Sequence, residues 1–199
     1  MWLGKASEEL TVAEAKILLS DFGESFCVQE EDKFESHTPS VNRAPEARFQ
    51  AGVKPLSFPS DIWSLACTIW DIVGQSPLFE GFLSREDDIT REHVDALGIL
   101  PQEWWNKWTA RRSKFNEDGT PLDGRSFRSW DDRFEYCVQK ARRVERMPEF
   151  EPAERDALFA MSRSMLSFRP ESRPSAKDVL TSELMVKWAL LECEKTWKS

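Results

Sequence analysis

The stretch Asp61-Ile-Trp-Ser-Leu-Ala-Cys-Thr-Ile-Trp-Asp-Ile-Val73 carries apolar residues around the whole helical wheel. A helix that is apolar on every face is a buried helix. A bilayer span needs about 18 or more apolar residues, so this shorter stretch is predicted to form the centre of a soluble domain. Pro59 and Ser60 predict its start, with Ser60 as the N-cap, and Gly74 predicts a left-handed residue that closes it.

Asp61 is the residue of this stretch that does not suit a plain core helix. A carboxylate at the edge of a buried segment must find hydrogen-bond donors or shift its pKa. The local sequence favours the simpler interpretation, in which Asp61 caps its own helix.

The composition limits the class of protein. The chain has 199 residues, nine tryptophans, thirteen phenylalanines and a formal charge of −8, which predicts one domain or one large lobe with a substantial core. The acidic balance, with basic residues scattered, argues against a nucleic-acid binder and suits a basic protein partner.

The cysteines and the termini indicate the compartment. Four cysteines (Cys27, Cys67, Cys137 and Cys193) lie far apart, and with two histidines they form no zinc motif. They are interpreted as reduced thiols of an intracellular protein. The chain opens on no secretory leader and holds no membrane span, so the expected location is the cytoplasm or the nucleus.

The chain begins with two short predicted units. Residues 1–14 are expected to be a truncated leader or an insertion, although Thr11 and Glu14 match a capping box. The apolar run in residues 15–20 predicts a strand that ends in a turn at Asp21 to Gly23. The polar residues 24–40 predict a surface loop.

The rest of the sequence predicts helices without internal repeats. The tryptophan stripe of Trp104, Trp105 and Trp108 is interpreted as core rather than as a ligand platform. Ser84, Gly98 and Ser175 are predicted to start or end helices. The predicted helices are 61–73, 84–97, 102–115, 129–147, one carrying Ala157, Leu158, Met161, Met165 and Leu166, and a last helical region from Ser175 through Trp197.

Four short motifs then occur in a fixed order. Asp21-Phe22-Gly23 follows the predicted strand, Ala44-Pro45-Glu46 comes 25 residues after Asp21, Asp61-Ile-Trp63-Ser opens the central helix, and Arg173 lies in a proline-flanked turn. Each motif is weak alone, but together and in this order they resemble the C-terminal lobe of a eukaryotic protein kinase. Arg43 to Glu46 and the tryptophan-rich sequence after residue 97 look like fungal kinases similar to the SR-protein kinases. The resemblance covers residues 15–199 as a partial kinase domain.

The resemblance implies a role for each matching residue. Asp21, Phe22 and Gly23 would form the cofactor-binding motif for ATP, with Asp21 as the Mg²⁺ ligand and Phe22 packed under it. Residues 24–43 would be the activation segment, with Ser36, Thr38 and Ser40 as phosphate acceptors. Glu46 would pair with Arg173, and Asp61 would accept backbone hydrogen bonds from a catalytic loop, against the capping role. A protein, of Arg/Ser-rich sequence, would be the substrate.

The sequence also departs from the family. Asn42 stands where close relatives carry tyrosine, and Ala66 stands where many kinases have glycine. No Gly-rich phosphate loop, anchoring lysine or His-Arg-Asp loop is present, so the base aspartate is absent and this chain alone is expected to be inactive. The central helix is then expected to leave an apolar patch uncovered.

Two other functions remain open at this point. The chain would serve as a non-catalytic, pseudokinase-like interaction module if a protein partner covered the uncovered side of the 61–73 helix. It would be an unrelated all-α adaptor if Glu46 and Arg173 made no contribution to stability.

Overall fold

The computed structural model describes residues 20–80 and 85–198, with side chains described as far as residue 194. The predicted mainly α fold is confirmed. Within the described ranges the sole β pairing is an isolated antiparallel bridge between Phe115 and Pro121. The strand predicted before Asp21 lies outside the described residues except for Ser20, as do the capping box at Thr11 and the cap at Ser84. The helices are α1 Glu46–Phe49, α2 Phe58–Val73, α3 Glu86–Leu97, α4 Gln102–Lys107, α5 Trp130–Phe134, α6 Lys140–Val144, α7 Pro152–Met165, α8 Ala176–Leu180 and α9 Leu190–Lys198.

Helix α2 is the central helix, and its ends differ from the prediction. It begins at Phe58 after an extended Ser57, because a proline in the first turn costs no helical hydrogen bond. The predicted N-cap role of Ser60 and the capping role of Asp61 are therefore wrong, since both residues lie inside the helix. Gly74 is extended rather than left-handed, with φ −117° and ψ 170°. A Cβ there would lie 3.2 Å from the carbonyl oxygen of Cys137, so Gly74 permits close packing.

The main hydrophobic core surrounds one part of α2. Trp63 and Trp70 are 0% exposed, and α7 contributes Leu158 and Met165 to the same core. The outward part of the same helix, residues Phe58, Asp61, Leu65, Thr68 and Ile72, is exposed at helical spacing, and we call it the α2 stripe. Its apolar members are 62%, 40% and 72% exposed for Phe58, Leu65 and Ile72. The prediction that α2 is buried on every face is therefore wrong. The uncovered apolar patch that was expected on this helix is present in the described structure.

A second aromatic cluster forms beside α3 and α4. Trp104, Trp105 and Trp108 are each 1% exposed, so the prediction that they are core residues is confirmed. They pack with Phe49, Val94, Leu100 and Phe115. Phe168 contacts this cluster as well as the main core.

Helices α5 and α6 are joined without a break by a π-helical turn, Glu135–Gln139. The long helix predicted over 129–147 is confirmed in place but ends at Val144. The π turn adds a residue to the local repeat and so rotates α6 about the helix axis. Val138 is fully buried, whereas Val144, six positions further along, is 68% exposed.

The helix predicted over 102–115 is instead α4 followed by a 3₁₀ turn, Thr109–Ser113, whereas several other predictions agree with the structure. Ala157, Leu158, Met161, Met165 and Leu166 are buried, Gly98 ends α3 at φ 91°, and Ser175 caps α8. The four cysteines are free thiols. No helix of the described residues has the length and hydropathy to cross a membrane.

Candidate functional site

A cavity of about 430 Å³ lies between the loop that starts at Asp21 and the first turns of α2. It contains four carboxylates and two basic side chains, so its lining is acidic. The charged residues that line it are Asp21, Glu24, Glu35, Asp61, Lys33 and His37, and the hydroxyl-bearing ones are Ser25, Ser36, Thr38, Ser57, Ser60 and Ser64.

Asp21 stands at the start of this loop in an unusual backbone conformation. Its φ of 66° and ψ of 56° are left-handed, a region that aspartate tolerates better than most residues. Such residues cluster at functional sites. A 3₁₀ turn, Phe22–Glu24, comes next, in which the ring of Phe22 is 61% exposed. The expected packing of Phe22 beneath Asp21 is therefore wrong in this structure, since a ring so exposed contacts little apolar surface.

The three hydroxyl residues of the expected activation segment do not share one environment. Ser36 and Thr38 line the cavity with Asp21, and the Ser36 hydroxyl accepts a hydrogen bond from the Thr38 amide at 3.3 Å. Ser40 lines a different, small cavity beside Arg43 and Arg48. The Thr38 carbonyl is held by the Nε–H of Arg43 at 2.9 Å, which fixes the end of this segment.

The structure brings Glu46 and Arg173 together, although 127 positions separate them. The guanidinium donates from Nη1 to Oε1 and from Nη2 to Oε2, both at 2.7 Å, and the side chains are 7% exposed for Glu46 and 0% for Arg173. This is a bidentate fork, the strongest common geometry for such a pair. It fixes the Ala44-Pro45-Glu46 segment, in which Ala44 and Pro45 are also buried, to the 3₁₀ turn Pro170–Ser172.

Helix α2 supplies two further hydrogen bonds to this pair, and the Nε–H of Arg173 donates to the carbonyl of Ser167 at 2.8 Å. The Ser60 hydroxyl donates to Glu46 Oε1 at 2.9 Å, and Arg173 donates to the carbonyl of Pro59 at 2.8 Å. The guanidinium lies 5.0 Å from the centre of the Trp63 ring, a cation–π contact. Trp63 is thus a packing residue of the buried pair. The local pattern at Ser60 indicates a helix cap and carries no signal for its contact with Glu46.

Asp61 lines the cavity, and its carboxylate forms no hydrogen bond or ion pair with any described side chain or backbone group. Partial burial raises the pKa of its carboxyl group. Asp71, ten positions further along α2, has its pKa raised by burial too, and a hydrogen bond with the Asn42 side chain opposes that shift. Asn42, the departure from the family pattern, also accepts at its carbonyl from the Ser64 hydroxyl at 2.9 Å. The loop before Arg43 is therefore attached to α2 by polar contacts.

Two other residues near the site had no signal in the sequence. Arg48, on α1, donates to Thr90 Oγ1 and Asp87 Oδ1 at 2.5 Å each, so it connects α1 to α3. His93 is 3% exposed between the rings of Trp63 and Phe79, and neither ring nitrogen has a hydrogen-bond partner in the described structure. No pattern in the sequence indicates that His93 lies unpaired between these two rings.

Among the side chains that line the cavity, one carboxylate is suited to bind a metal ion. Within 20–80 and 85–198, no three His, Cys, Asp or Glu side chains group to hold a metal ion. Mg²⁺ commonly binds proteins through one or two carboxylates and takes its other ligands from phosphates and water. Asp21 fits that requirement. The described lining of the cavity has one lysine, Lys33, and no glycine, so its fit to the ATP phosphates is incomplete.

Comparison with known proteins bears on these residues. Residues 5–185 match the family model described as protein kinase domain. The chain is similar to the dual specificity protein kinase CLK2 of Homo sapiens, with 26% identity over 204 residues that cover 99% of this chain and 37% of that protein. It is also similar to the serine/threonine-protein kinase spk-1 of Caenorhabditis elegans, with 28% identity over 142 residues that cover 69% of this chain and 13% of that protein. The chain therefore spans well under half the length of either relative.

Proposed function

Because the chain belongs to the protein kinase family, we propose that it contributes the helical C-terminal lobe of an ATP- and Mg²⁺-dependent serine/threonine protein kinase. We propose residues 15–199 as the partial domain, with residues 1–14 before it; the family match itself begins earlier, at residue 5. One relative carries serine/threonine specificity in its name and the other dual specificity, which supports the hydroxyl of a protein as the acceptor.

The observation that carries this proposal is the buried fork between Glu46 and Arg173. A carboxylate and a guanidinium with almost no exposed surface are costly unless their geometry is excellent, and here all contacts are short. The fork secures the segment that begins at Asp21 and lines the cavity with Thr38. A metal-binding carboxylate and an anchored peptide-binding segment at one cavity are two of the parts that phosphoryl transfer to a protein needs.

Asp21 is the cofactor residue of the proposal. When bound, Mg²⁺ would neutralise the negative charge of the ATP phosphates. Asp21 would provide one oxygen ligand for the ion. Phosphoryl transfer depends on positioned groups, and these 199 residues contain no Gly-rich loop, anchoring lysine or base aspartate. We therefore propose that they do not transfer phosphate alone.

The acidic cavity supports a basic protein substrate. Four carboxylates against Lys33 and His37 attract arginine side chains, and an Arg/Ser-rich substrate agrees with the SR-protein-kinase-like motifs. Such a kinase acts inside the cell, in the cytoplasm or the nucleus, and its partners are proteins rather than nucleic acids.

A phosphoryl-transfer assay tests this function. The chain is incubated with Mg²⁺, γ-labelled ATP and an Arg/Ser-rich peptide, alongside the Asp21→Asn variant. The expected result is no transfer by either protein. Transfer that Asp21→Asn abolishes would contradict inactivity but support the metal role, and transfer that survives Asp21→Asn would contradict both.

The mass of the native protein is the complementary test. An antibody against residues 130–144 recovers the protein from its source, and its intact mass is compared with 23.1 kDa. A much heavier species is expected if these residues are part of a complete kinase. A species of 23.1 kDa would contradict that and favour the second candidate.

The second candidate function, a non-catalytic interaction module, is supported by the α2 stripe. Phe58, Leu65 and Ile72 recur every seven residues on an exposed helix face, which is the spacing of a helix-packing seam. The test is size-exclusion chromatography with binding of an apolar dye. Leu65→Ser combined with Ile72→Ser is expected to reduce association and dye binding. Val53→Ser, at an exposed apolar residue outside the α2 stripe, is not expected to reduce them. Monomeric wild-type protein that binds no dye would contradict this candidate.

A further inference from the structure

A groove separate from the candidate site lies where the end of α3, the start of α5 and the end of α7 meet. Its volume is about 590 Å³, within the range of pockets that hold a ligand of several side chains in size. Its lining is mainly apolar, and Ile99 at its edge is 45% exposed. The residues that matter for the argument are Trp130, Leu166, Phe168, Ile99, Arg163 and Arg169.

Arg163 is positioned in this groove by aromatic rings rather than by a carboxylate. Its guanidinium carbon lies 5.0 Å from the centre of the Trp130 ring and 5.9 Å from that of Phe159. No described residue forms a hydrogen bond or ion pair with it. Stacking holds the plane of a guanidinium while its N–H groups remain available at the edge, so Arg163 is prepared to bind a planar anion.

Arg169 differs from Arg163, because Glu103 already pairs with it. Arg169 Nη2 donates to Glu103 Oε2 at 3.1 Å, and Nη1 contacts the other oxygen. This hydrogen bonding lowers the pKa of Glu103 and keeps it a carboxylate. Among the described lining residues there is no acidic side chain, so Arg163 gives the groove a net positive charge. The chain as a whole, at −8, is acidic.

We propose that this groove docks an acidic peptide segment of a partner protein. An apolar side chain of the segment lies against Ile99 and the partly exposed Phe168, and a neighbouring carboxylate accepts a bidentate pair of hydrogen bonds from Arg163. Charge complementarity selects this occupant, since a basic segment would face Arg163 with a like charge. The inference is independent of the proposed kinase function, whose cavity is acidic and attracts the opposite charge.

Fluorescence anisotropy with defined peptides tests the proposal on the full 199-residue chain. The probe is a fluorescein-labelled peptide of sequence GSLEEFLGS, with GSLQQFLGS as the neutral match and GSLKKFLGS as the basic one. The acidic peptide is expected to bind about tenfold more tightly than the neutral one. Its affinity should fall when sodium chloride is raised from about 0.05 M to about 0.5 M. Equal affinity for the acidic and neutral peptides, or no binding by the acidic one, would overturn the proposal.

Arg163→Met isolates the guanidinium. Methionine retains an unbranched stem that packs on Trp130, and the variant is expected to lose the tenfold preference for the acidic peptide. Arg155→Met is the matched control, because Arg155 lies about two turns away on α7, contacts Phe159 from 5.8 Å and does not line the groove. Circular dichroism verifies that each variant is folded. A preference that survives Arg163→Met, or that Arg155→Met removes equally, would contradict docking at this groove.

Discussion

At the scale of single residues, the pair of Glu46 and Arg173 allows the sharpest stability prediction. Either Glu46→Ala or Arg173→Ala leaves one charge buried without its partner, in an environment that solvent barely reaches. Each change is expected to lower the free energy of unfolding by about 3 to 5 kcal/mol. Urea denaturation followed by circular dichroism measures the loss.

Lys187→Ala is the control for that experiment. Lys187 pairs with Glu183 on an exposed helix surface, with side chains 60% and 58% exposed, and such pairs contribute about 0.5 kcal/mol or less. If Arg173→Ala were no more harmful than Lys187→Ala, the buried fork would not hold the fold.

His93 gives the chain a predicted dependence of stability on pH. Burial, followed by the charges of Arg48 and Arg173, lowers the pKa of His93 from 6.5 to about 3. Below about pH 6.5 the unfolded chain binds a proton that the folded chain does not, so stability falls as the pH decreases. The loss between about pH 7 and about pH 5 is about 2 kcal/mol from this residue. His93→Phe is expected to remove that part, as measured by urea denaturation at both pH values.

His37→Gln is the matched control, because His37 is the chain's other histidine and its side chain is 67% exposed. This variant should keep the wild-type difference between the two pH values. If His93→Phe and wild type lost the same stability on acidification, His93 would be protonated in the folded state and its burial would be misassigned.

These residues differ in how far the sequence alone could predict them. Glu46 and Arg173 are 127 positions apart, and no local pattern joins them. The pairing of Glu46 with Arg173 is predicted only when their motifs are compared with those of a family. The helical spacing of α3 leaves His93 or Val94 as the residue that faces the core, and the ring contacts of His93 with Trp63 and Phe79 arise only in the folded chain, because the three residues are distant in sequence.

At the scale of elements, the start of α5 is predicted to depend on its cap. The Ser129 hydroxyl accepts from the Asp132 amide at 3.0 Å, and the Asp132 carboxylate accepts from the Ser129 amide at 3.1 Å, which together form a capping box. Ser129→Ala is expected to lower the free energy of unfolding by about 1 kcal/mol, as measured by thermal or urea denaturation. Ser113→Ala, at an exposed serine that caps no helix by such a box, should change it by less than about 0.5 kcal/mol. Equal effects would mean that the cap contributes nothing.

Helices could be predicted as elements, but not all of their details could. A continuous apolar run locates α2, regular apolar spacing locates α3 and α7, and Ser175 locates the start of α8. The start of α2 differs from the prediction because Pro59 is compatible with a break and also with the first turn of a helix. The exposure of Val144 could not be predicted, because the π turn that rotates α6 has no signature in a pattern based on about 3.6 residues per turn.

At the scale of the whole molecule, tertiary packing decides what local patterns do not. An apolar helical wheel predicts burial on all sides, yet the α2 stripe is exposed, because coverage depends on which other elements are near. The cavity at Asp21 likewise depends on how residues 21–38 approach α2. Motif order identifies the residues of the candidate site, and only the fold supplies their distances and their burial.

The main hydrophobic core and the second aromatic cluster are predicted to unfold as one unit, because α3 contributes to both and Phe168 packs against both. Helix α3 contributes His93 to the Trp63 side and Val94 to the other cluster, while Phe168 packs against both. Tryptophan fluorescence and far-ultraviolet circular dichroism are therefore expected to report the same urea midpoint. Phe168→Ala should lower both urea midpoints together. The expected loss of unfolding free energy is about 2 kcal/mol, since removing the ring leaves a cavity where it packed. Phe127→Ala, at a ring that is 40% exposed, should lower them much less. A fluorescence transition that precedes the circular dichroism transition in the wild type would show instead that the clusters are separate folding units.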